Sequence, residues 1–308
     1  MAKSYEENIK NTKIEGVLGQ EAVKDELKSA ILMKRHVILV GQPGIGKTTL
    51  VRSLVNLLPN VEGEEKTPPF VRVQGSPDLT AEDLIGDIDP SKAIKYGPLS
   101  PNAFTPGKIF KADKGILFFD EINRCGEKLQ NTLLQVLEER KATIGSYEVD
   151  FDANFILIGT MNPEEASTEP LSDVFLDRFD MIYMHPPESL EIEMDILKSK
   201  NINLVKFPDG LLKNTIKFIR KLRGSEDLEK HPSVRATLGI YERAQSNAYL
   251  SSRKEVNVED IQRAVVGVLS HRIRLKPSLK YVKTTTEFLK EEFVQQFSED
   301  LAESGDAP

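Results

Sequence analysis

One octapeptide, Gly41-Gln42-Pro43-Gly44-Ile45-Gly46-Lys47-Thr48, constrains this chain more than any other feature. It fits the pattern G-x-x-x-x-G-K-[ST]. Before it runs the apolar segment His36–Val40, which reads as a strand. After it comes a helical pattern, Thr48 to Leu58, with Leu50, Leu54, Leu57 and Leu58 on one face. Strand, glycine-rich turn and helix in that order make a loop that holds phosphate. Glycines let successive backbone N–H groups turn inward, and the helix aims its positive end at the anion. Gly41, Pro43, Gly44, Ile45, Gly46, Lys47, Thr48 and Thr49 are therefore the candidate nucleotide-binding residues. Lys47 supplies a cation for the β- and γ-phosphates, and Thr48 offers a hydroxyl to Mg²⁺.

Four further short apolar runs read as strands: Phe70–Val73, Ile116–Asp120, Phe155–Gly159 and Met181–Met184. Most are almost continuously apolar, as in a parallel sheet covered on both faces. Helical patterns lie between them, at Glu21–Met33 and at Lys128–Arg140, where Leu129, Leu133, Val136 and Leu137 align. The alternation predicts an α/β fold: a P-loop NTPase three-layer sandwich around a parallel five-stranded sheet. The pair Pro186–Pro187 marks a boundary, and beyond it only helical patterns are evident, near 188–200, 208–223, 232–252, 257–273 and 285–298. The expected plan is an α/β domain over 1–187, a small all-helical lid over 188–275, and a helical extension with an acidic tail over 276–308.

The run Gly115-Ile116-Leu117-Phe118-Phe119 ends in Asp120 and Glu121. A buried strand ending in two acids sets both at the carboxyl edge of the sheet, where open α/β folds bind ligands. Asp120 is the candidate for the Mg²⁺ shell and Glu121 for orienting the attacking water.

Composition removes other classes. The 308 residues carry a formal net charge of −7, which argues against a nucleic-acid binder. The basic stretch Lys213–Arg223 reads as a solvated helix face. No apolar run approaches the roughly 20 residues that span a bilayer. The polar N-terminus MAKSYEENIK does not read as a signal peptide. The single cysteine, Cys125, fits a reducing, cytoplasmic setting. His36, His185, His231 and His271 are scattered without metal-ligand spacing.

The segments GQPGIGKTT, GILFFDEINR, NTLLQVLEERKATIG, ILIGTMNP and FLDRF follow one another in this order. Together they resemble the MoxR-like AAA+ ATPases of the helix-2-insert clade, and they are similar to the ATPase subunit I of magnesium chelatase. The resemblance covers roughly residues 14–275 and implies further roles. Val17-Leu18-Gly19-Gln20 matches the box that packs near adenine, so Gly19 and Gln20 join the nucleotide site. Asn162 matches the first sensor, bonding the γ-phosphate or the water. Arg178, in LDRFD, matches an arginine finger that reaches into a neighbouring subunit's site; otherwise it pairs with Asp177 or Asp180. Arg235, in HPSVRAT, matches the second sensor on the lid. Gly75–Phe110 reads as insertion rather than core, and Ala142–Asp152 reads equally as a hairpin or a surface loop. The resemblance implies ATP with Mg²⁺, a homo-oligomeric ring of six, and a protein client, for which von Willebrand factor A domain proteins are the family's usual partners. A magnesium- or cobalt-chelatase motor is the alternative, although the chelatase subunit carries a longer stretch before its phosphate loop. A nucleic-acid motor and a non-hydrolysing ATP switch are the remaining readings.

Overall fold

The structure is a computed structural model, and it describes residues 5–58, 67–97, 100–143, 150–163, 170–199 and 203–303. The chain divides into two compact units, residues 1–42 with 46–184 and residues 43–45 with 185–308.

The first unit is built on a five-stranded sheet: β1 (His36–Val40), β2 (Phe70–Gln74), β3 (Ile116–Asp120), β4 (Ile156–Met161) and β5 (Phe179–Tyr183). All neighbours are parallel, in the order β2-β3-β4-β1-β5. Val37 pairs with Ile158 on one side of β1, and His36 pairs with Phe179 on the other. Ile38, Leu39, Leu117 and Phe119 are completely buried. That is why these strands show unbroken apolar runs rather than alternation. Helix α1 (Glu21–Leu32) precedes β1, while α2 (Lys47–Ser53) and α3 (Glu127–Glu139) lie between strands in the chain. The inward face of α3 carries Leu129, Leu133, Val136 and Leu137, as its 3.6-residue period predicts.

Strand ends are where sequence and structure part. β4 runs on through Thr160 and Met161, and β5 starts two residues early at Phe179. Thr160 and Asp180 break the apolar run, yet ladder pairing with β1 keeps their backbone in the sheet. The described part of residues 75–110 contains a short antiparallel ribbon, Gly86–Ile88 with Phe104–Pro106, and several short helical turns. The segment is not pure insertion: Leu84 and Ile109 are fully buried in the same core as Phe119. The helix Ala81–Ile85 is fixed by a reciprocal cap between Thr80 and Asp83. Lys141–Thr143 and Asp150–Asp152 pair as an antiparallel hairpin.

The second unit holds α4 (Leu190–Lys198), α5 (Asp209–Arg223), α6 (Val234–Leu250), α7 (Val258–Leu269) and α8 (Thr285–Glu303). Their shared core includes Ile216, Ile219, Ile240, Ile261 and Leu269. α8, which the sequence reading sets apart as an extension, adds Phe288, Leu289, Phe293 and Phe297 to this core. Phe293 stacks on Phe297 at 4.2 Å and meets Phe218 edge-on at 5.6 Å. The unit is also not purely helical. Leu228–Lys230 pairs antiparallel with Arg274–Leu275, strands too short to leave a period in the sequence. Among the described residues, no helix is long and apolar enough to cross a membrane.

Two titratable side chains are structural. Cys125 is buried, which pushes its thiol up to about 11 and leaves it inert. The His36 ring lies between Phe155 and Phe179, with centroids 6.4 and 6.2 Å away, and its Nδ1 accepts the Leu157 N–H at 3.0 Å. Burial, helped by Arg140 and Arg35, pushes its pKa down to about 4 from 6.5. Between those values the unfolded chain binds a proton that the folded chain refuses. This contribution is therefore complete above pH 6.5 and is lost as pH falls toward 4, about 3 kcal/mol at most. In denaturant titrations from pH 7 to 4, His36→Gln should lose less stability than the wild type. Parallel pH profiles would show that the ring is not the titrating group.

Candidate functional site

β1 delivers the chain into the glycine loop, and the Gly41 N–H is tied to the Met161 carbonyl of β4 at 3.1 Å. Gly44 and Gly46 adopt φ of +84° and +98°, a region that side chains with a Cβ resist. Gly46 is also the residue before α2, and it brings no side chain to cap the helix. The first-turn N–H groups are thereby left for an anion. Lys47 turns back on the loop, donating to the carbonyls of Gly41 and of Gln42, the latter at 3.0 Å. The Val17–Gln20 segment runs beside this loop. A Cβ on Gly46 would sit 3.7 Å from Val17 Cγ2, and one on Gly16 would sit 3.6 Å from Thr49 Cγ2. Gly19 and Gln20 both take positive φ there.

The two carboxylates leave the end of β3 in a network the sequence did not reveal. Asp120 Oδ1 accepts from Thr160 Oγ1 at 2.6 Å, and Oδ2 pairs with Arg72 Nη2 at 2.6 Å. Glu121 stands at φ 56°, ψ 49°, a left-handed conformation that costs a non-glycine residue on the order of 1 kcal/mol. Three contacts hold it there. Its N–H donates to Thr160 Oγ1 at 3.0 Å, while Gln74 Nε2 and Arg124 Nη1 reach Oε2 at 2.7 and 3.1 Å. Gly75 makes room for the turn: its N–H donates to the Asp120 carbonyl at 2.6 Å, and a Cβ there would come within 2.0 Å of the Glu121 carbonyl oxygen.

Arg72, Gln74, Gly75 and Thr160 therefore belong to this constellation, and sequence reading missed them. Their signal exists only in register: Gln74 lies opposite Asp120 across the β2–β3 ladder, and Thr160 comes from the strand on the other side. Asn162 follows directly on β4, half-buried. The first unit thus gathers Lys47, Thr48, Asp120, Glu121, Thr160 and Asn162 at the carboxyl edge of β1, β3 and β4.

Of the two arginines, Arg235 lies against the phosphate loop, where a Cβ on Gly44 would sit 2.3 Å from its Cγ, and Arg178 stands elsewhere. Arg178 precedes β5, donates to the Val174 carbonyl at 2.6 Å and pairs with Glu138 of α3. Neither Asp177 nor Asp180 is its partner, since Asp180 is bound by Arg35 at 2.6 Å. Arg235 is exposed on the first turn of α6 in the second unit. The basic run on α5 is largely engaged internally: Arg220 and Arg223 bind Glu193, and Lys221 pairs with Glu292 at 3.2 Å. A cavity of about 1120 Å³ in the second unit, lined by Phe207, Tyr241, Tyr249 and Lys206 among others, contains none of the site residues.

The donor set suits Mg²⁺. Thr48 and Asp120 offer hard oxygen, and Asp120 Oδ2 already lies against a cation, the Arg72 guanidinium. Among the described residues, no cluster of three or more His, Cys, Asp or Glu is placed to hold a metal ion. A metal at this edge would depend on phosphate and water for most of its shell.

Comparison with known proteins agrees with this geometry. Residues 36–179 match the AAA domain of the dynein-related subfamily, and residues 222–292 match an AAA lid domain. An uncharacterized Bacillus subtilis protein, YeaC, is 30% identical over 82% of both chains. The chaperone MoxR1 of Mycobacterium tuberculosis is 27% identical, over 84% of this chain and 73% of its own. A magnesium-chelatase subunit ChlI homolog of Methanocaldococcus jannaschii is 28% identical over 92% of both. With 82% of each chain aligned to YeaC, and both domain models falling in order along the sequence, the chain belongs to the MoxR-like AAA+ ATPases.

Proposed function

We propose that this protein hydrolyses ATP to ADP and phosphate within a homo-oligomeric ring and uses the cycle to remodel or activate a client protein. The observation that carries the reading is the meeting of loop, carboxylate pair and polar strand ends at one sheet edge. Lys47 and the loop amides bind the β- and γ-phosphates. Thr48 and Asp120 hold Mg²⁺, which when bound supplies positive charge to the phosphates. Glu121 Oε2 accepts a hydrogen bond from Gln74 and pairs with the Arg124 guanidinium, so its carboxylate is aimed before water arrives. It orients that water and takes its proton as general base. Asn162 bonds the γ-phosphate or the water. Gly19 and Gln20 lie on the segment assigned to adenine. Arg235, which lies against Gly44 of the loop, answers to the γ-phosphate, and Arg178 neutralises transition-state charge in the site of a neighbouring copy.

A finger supplied in trans makes activity depend on assembly, and head-to-tail contacts of that kind close into rings. Hydrolysis per subunit should therefore rise with protein concentration and level off once rings are complete. A rate per subunit that stays flat across the dissociation range, followed in parallel by light scattering, would remove the shared site. The MoxR1 likeness favours a protein client, with a von Willebrand factor A domain protein as the first to test. The ChlI homolog, which aligns over 92% of both chains, supports a chelatase-type motor as second reading. Copurification with a large tetrapyrrole-binding subunit would decide for it.

A further inference from the structure

The second unit contains a buried charge cluster that none of the roles above requires. Glu193, on α4, is completely buried. Its Oε1 accepts from Thr237 Oγ1 at 2.7 Å and Arg223 Nη2 at 3.0 Å. Its Oε2 accepts from Arg220 Nη1 and Arg223 Nη1, both at 3.3 Å. The arginines carry the network outward. Arg223 Nε donates to the Pro232 carbonyl at 3.2 Å, and Arg220 donates to the carbonyls of Pro187 and Glu188 at 3.0 and 3.1 Å.

The partners are not scattered. Thr237 lies in the first turns of α6, and Pro232 lies just before that helix. Arg235 sits between them. The residue preceding the helix, Ser233, makes no side-chain cap, so this end lacks the usual anchor for its free N–H groups. Glu193 grips the turn from both sides instead, directly through Thr237 and indirectly through Arg223 and Pro232. The same carboxylate, through Arg220, holds the backbone at Pro187–Glu188, where the second unit begins. A single buried acid thus ties the turn bearing Arg235 to the start of its unit. Buried ionic networks seldom add much stability over apolar packing, but they do fix geometry.

We propose that Glu193 is a positioning residue that, through Arg223 and Thr237, sets the place of Arg235 for the hydrolytic step; this rests on the role given to Arg235 above. An arginine on a frayed turn samples many positions, and catalysis by a fixed charge requires one.

The test uses the full chain at concentrations where its ATPase rate has levelled off. kcat and KM for MgATP are measured for wild type, Arg235→Ala, Thr237→Val, Thr237→Ser, Glu193→Gln and the double variant Thr237→Val/Arg235→Ala, with melting temperatures alongside. Thr237→Val keeps shape and removes one hydrogen bond, so it reports even if Glu193→Gln does not fold. Thr237→Val should lower kcat about tenfold, the size of a coupling between neighbours, with KM little changed. Thr237→Ser should restore the rate. In the Arg235→Ala background, Thr237→Val should have no further effect, because the residue it positions is gone. Equal fold-losses from Thr237→Val in both backgrounds would overturn the proposal and leave the cluster a purely structural role. Wild-type kcat and KM in Arg235→Ala would instead overturn the assignment of Arg235, and the proposal with it.

Discussion

Glu121→Gln is expected to bind ATP as the wild type does and to hydrolyse it about 10²–10⁴-fold more slowly, the usual contribution of a positioned general base. The amide keeps the size and planarity of the carboxylate. It can still meet Gln74 and Arg124 at the strand end, and the left-handed backbone at this position is untouched. It cannot take a proton from water. Lys47 and the loop amides are unaltered, so affinity for a fluorescent ATP analogue should hold while phosphate release falls. Loss of binding together with turnover would mean that Glu121 supports the loop rather than the chemistry. Near-normal turnover would move the base elsewhere.

Arg178→Ala is expected to lower hydrolysis about 10³-fold or more, in the range of a missing arginine finger. In the single chain this guanidinium is occupied with Glu138 and the Val174 carbonyl, and neither Asp120 nor Glu121 is among its partners. On the proposed reading, the site it completes belongs to another copy. Mixing separates the two cases. Arg178→Ala subunits retain Glu121, and Glu121→Gln subunits retain Arg178. When the two inactive proteins assemble at random in equal amounts, about a quarter of the head-to-tail sites combine an intact base with an intact finger. ATPase activity should reappear on mixing at roughly that level. A mixture as inactive as its parts would place Arg178 in its own subunit's site or in none.

The sheet and the helices of the first unit were legible because two simple regularities mark them. A parallel strand covered on both faces appears as an unbroken apolar run, and α3 repeats its leucines at the helical period. The glycine loop and the acid pair were legible because their chemistry restricts residue type at fixed spacing. Arg72, Gln74, Gly75 and Thr160 were not. Each is an ordinary residue at a strand end and gains meaning only once β2 and β4 are known to flank β3. Thr160 even counted against its own strand, since a polar residue interrupts an apolar run. The ribbon of the second unit escaped because strands of two and three residues have no period to detect. α8 looked separable because its aromatic residues are spread along a strongly charged helix. Their common face emerges only when Phe218 of α5 lies opposite.

The order of the strands also bears on how the molecule is made. β1 emerges from the ribosome early, yet its partners are β4 and β5: Val37 waits for Ile158, and His36 for Phe179. Until the chain has been synthesised to the end of β4, the strand that feeds the phosphate loop has no neighbour and stays a bare apolar segment. Long-range parallel pairing of this kind is slow and leaves sticky edges exposed while it proceeds. A nascent chain halted after α3 would contain the entire glycine loop and the acid pair without β4, the strand that joins them in one sheet. The nucleotide site is thus a late product of biosynthesis, although its best-known residues are among the first to be joined.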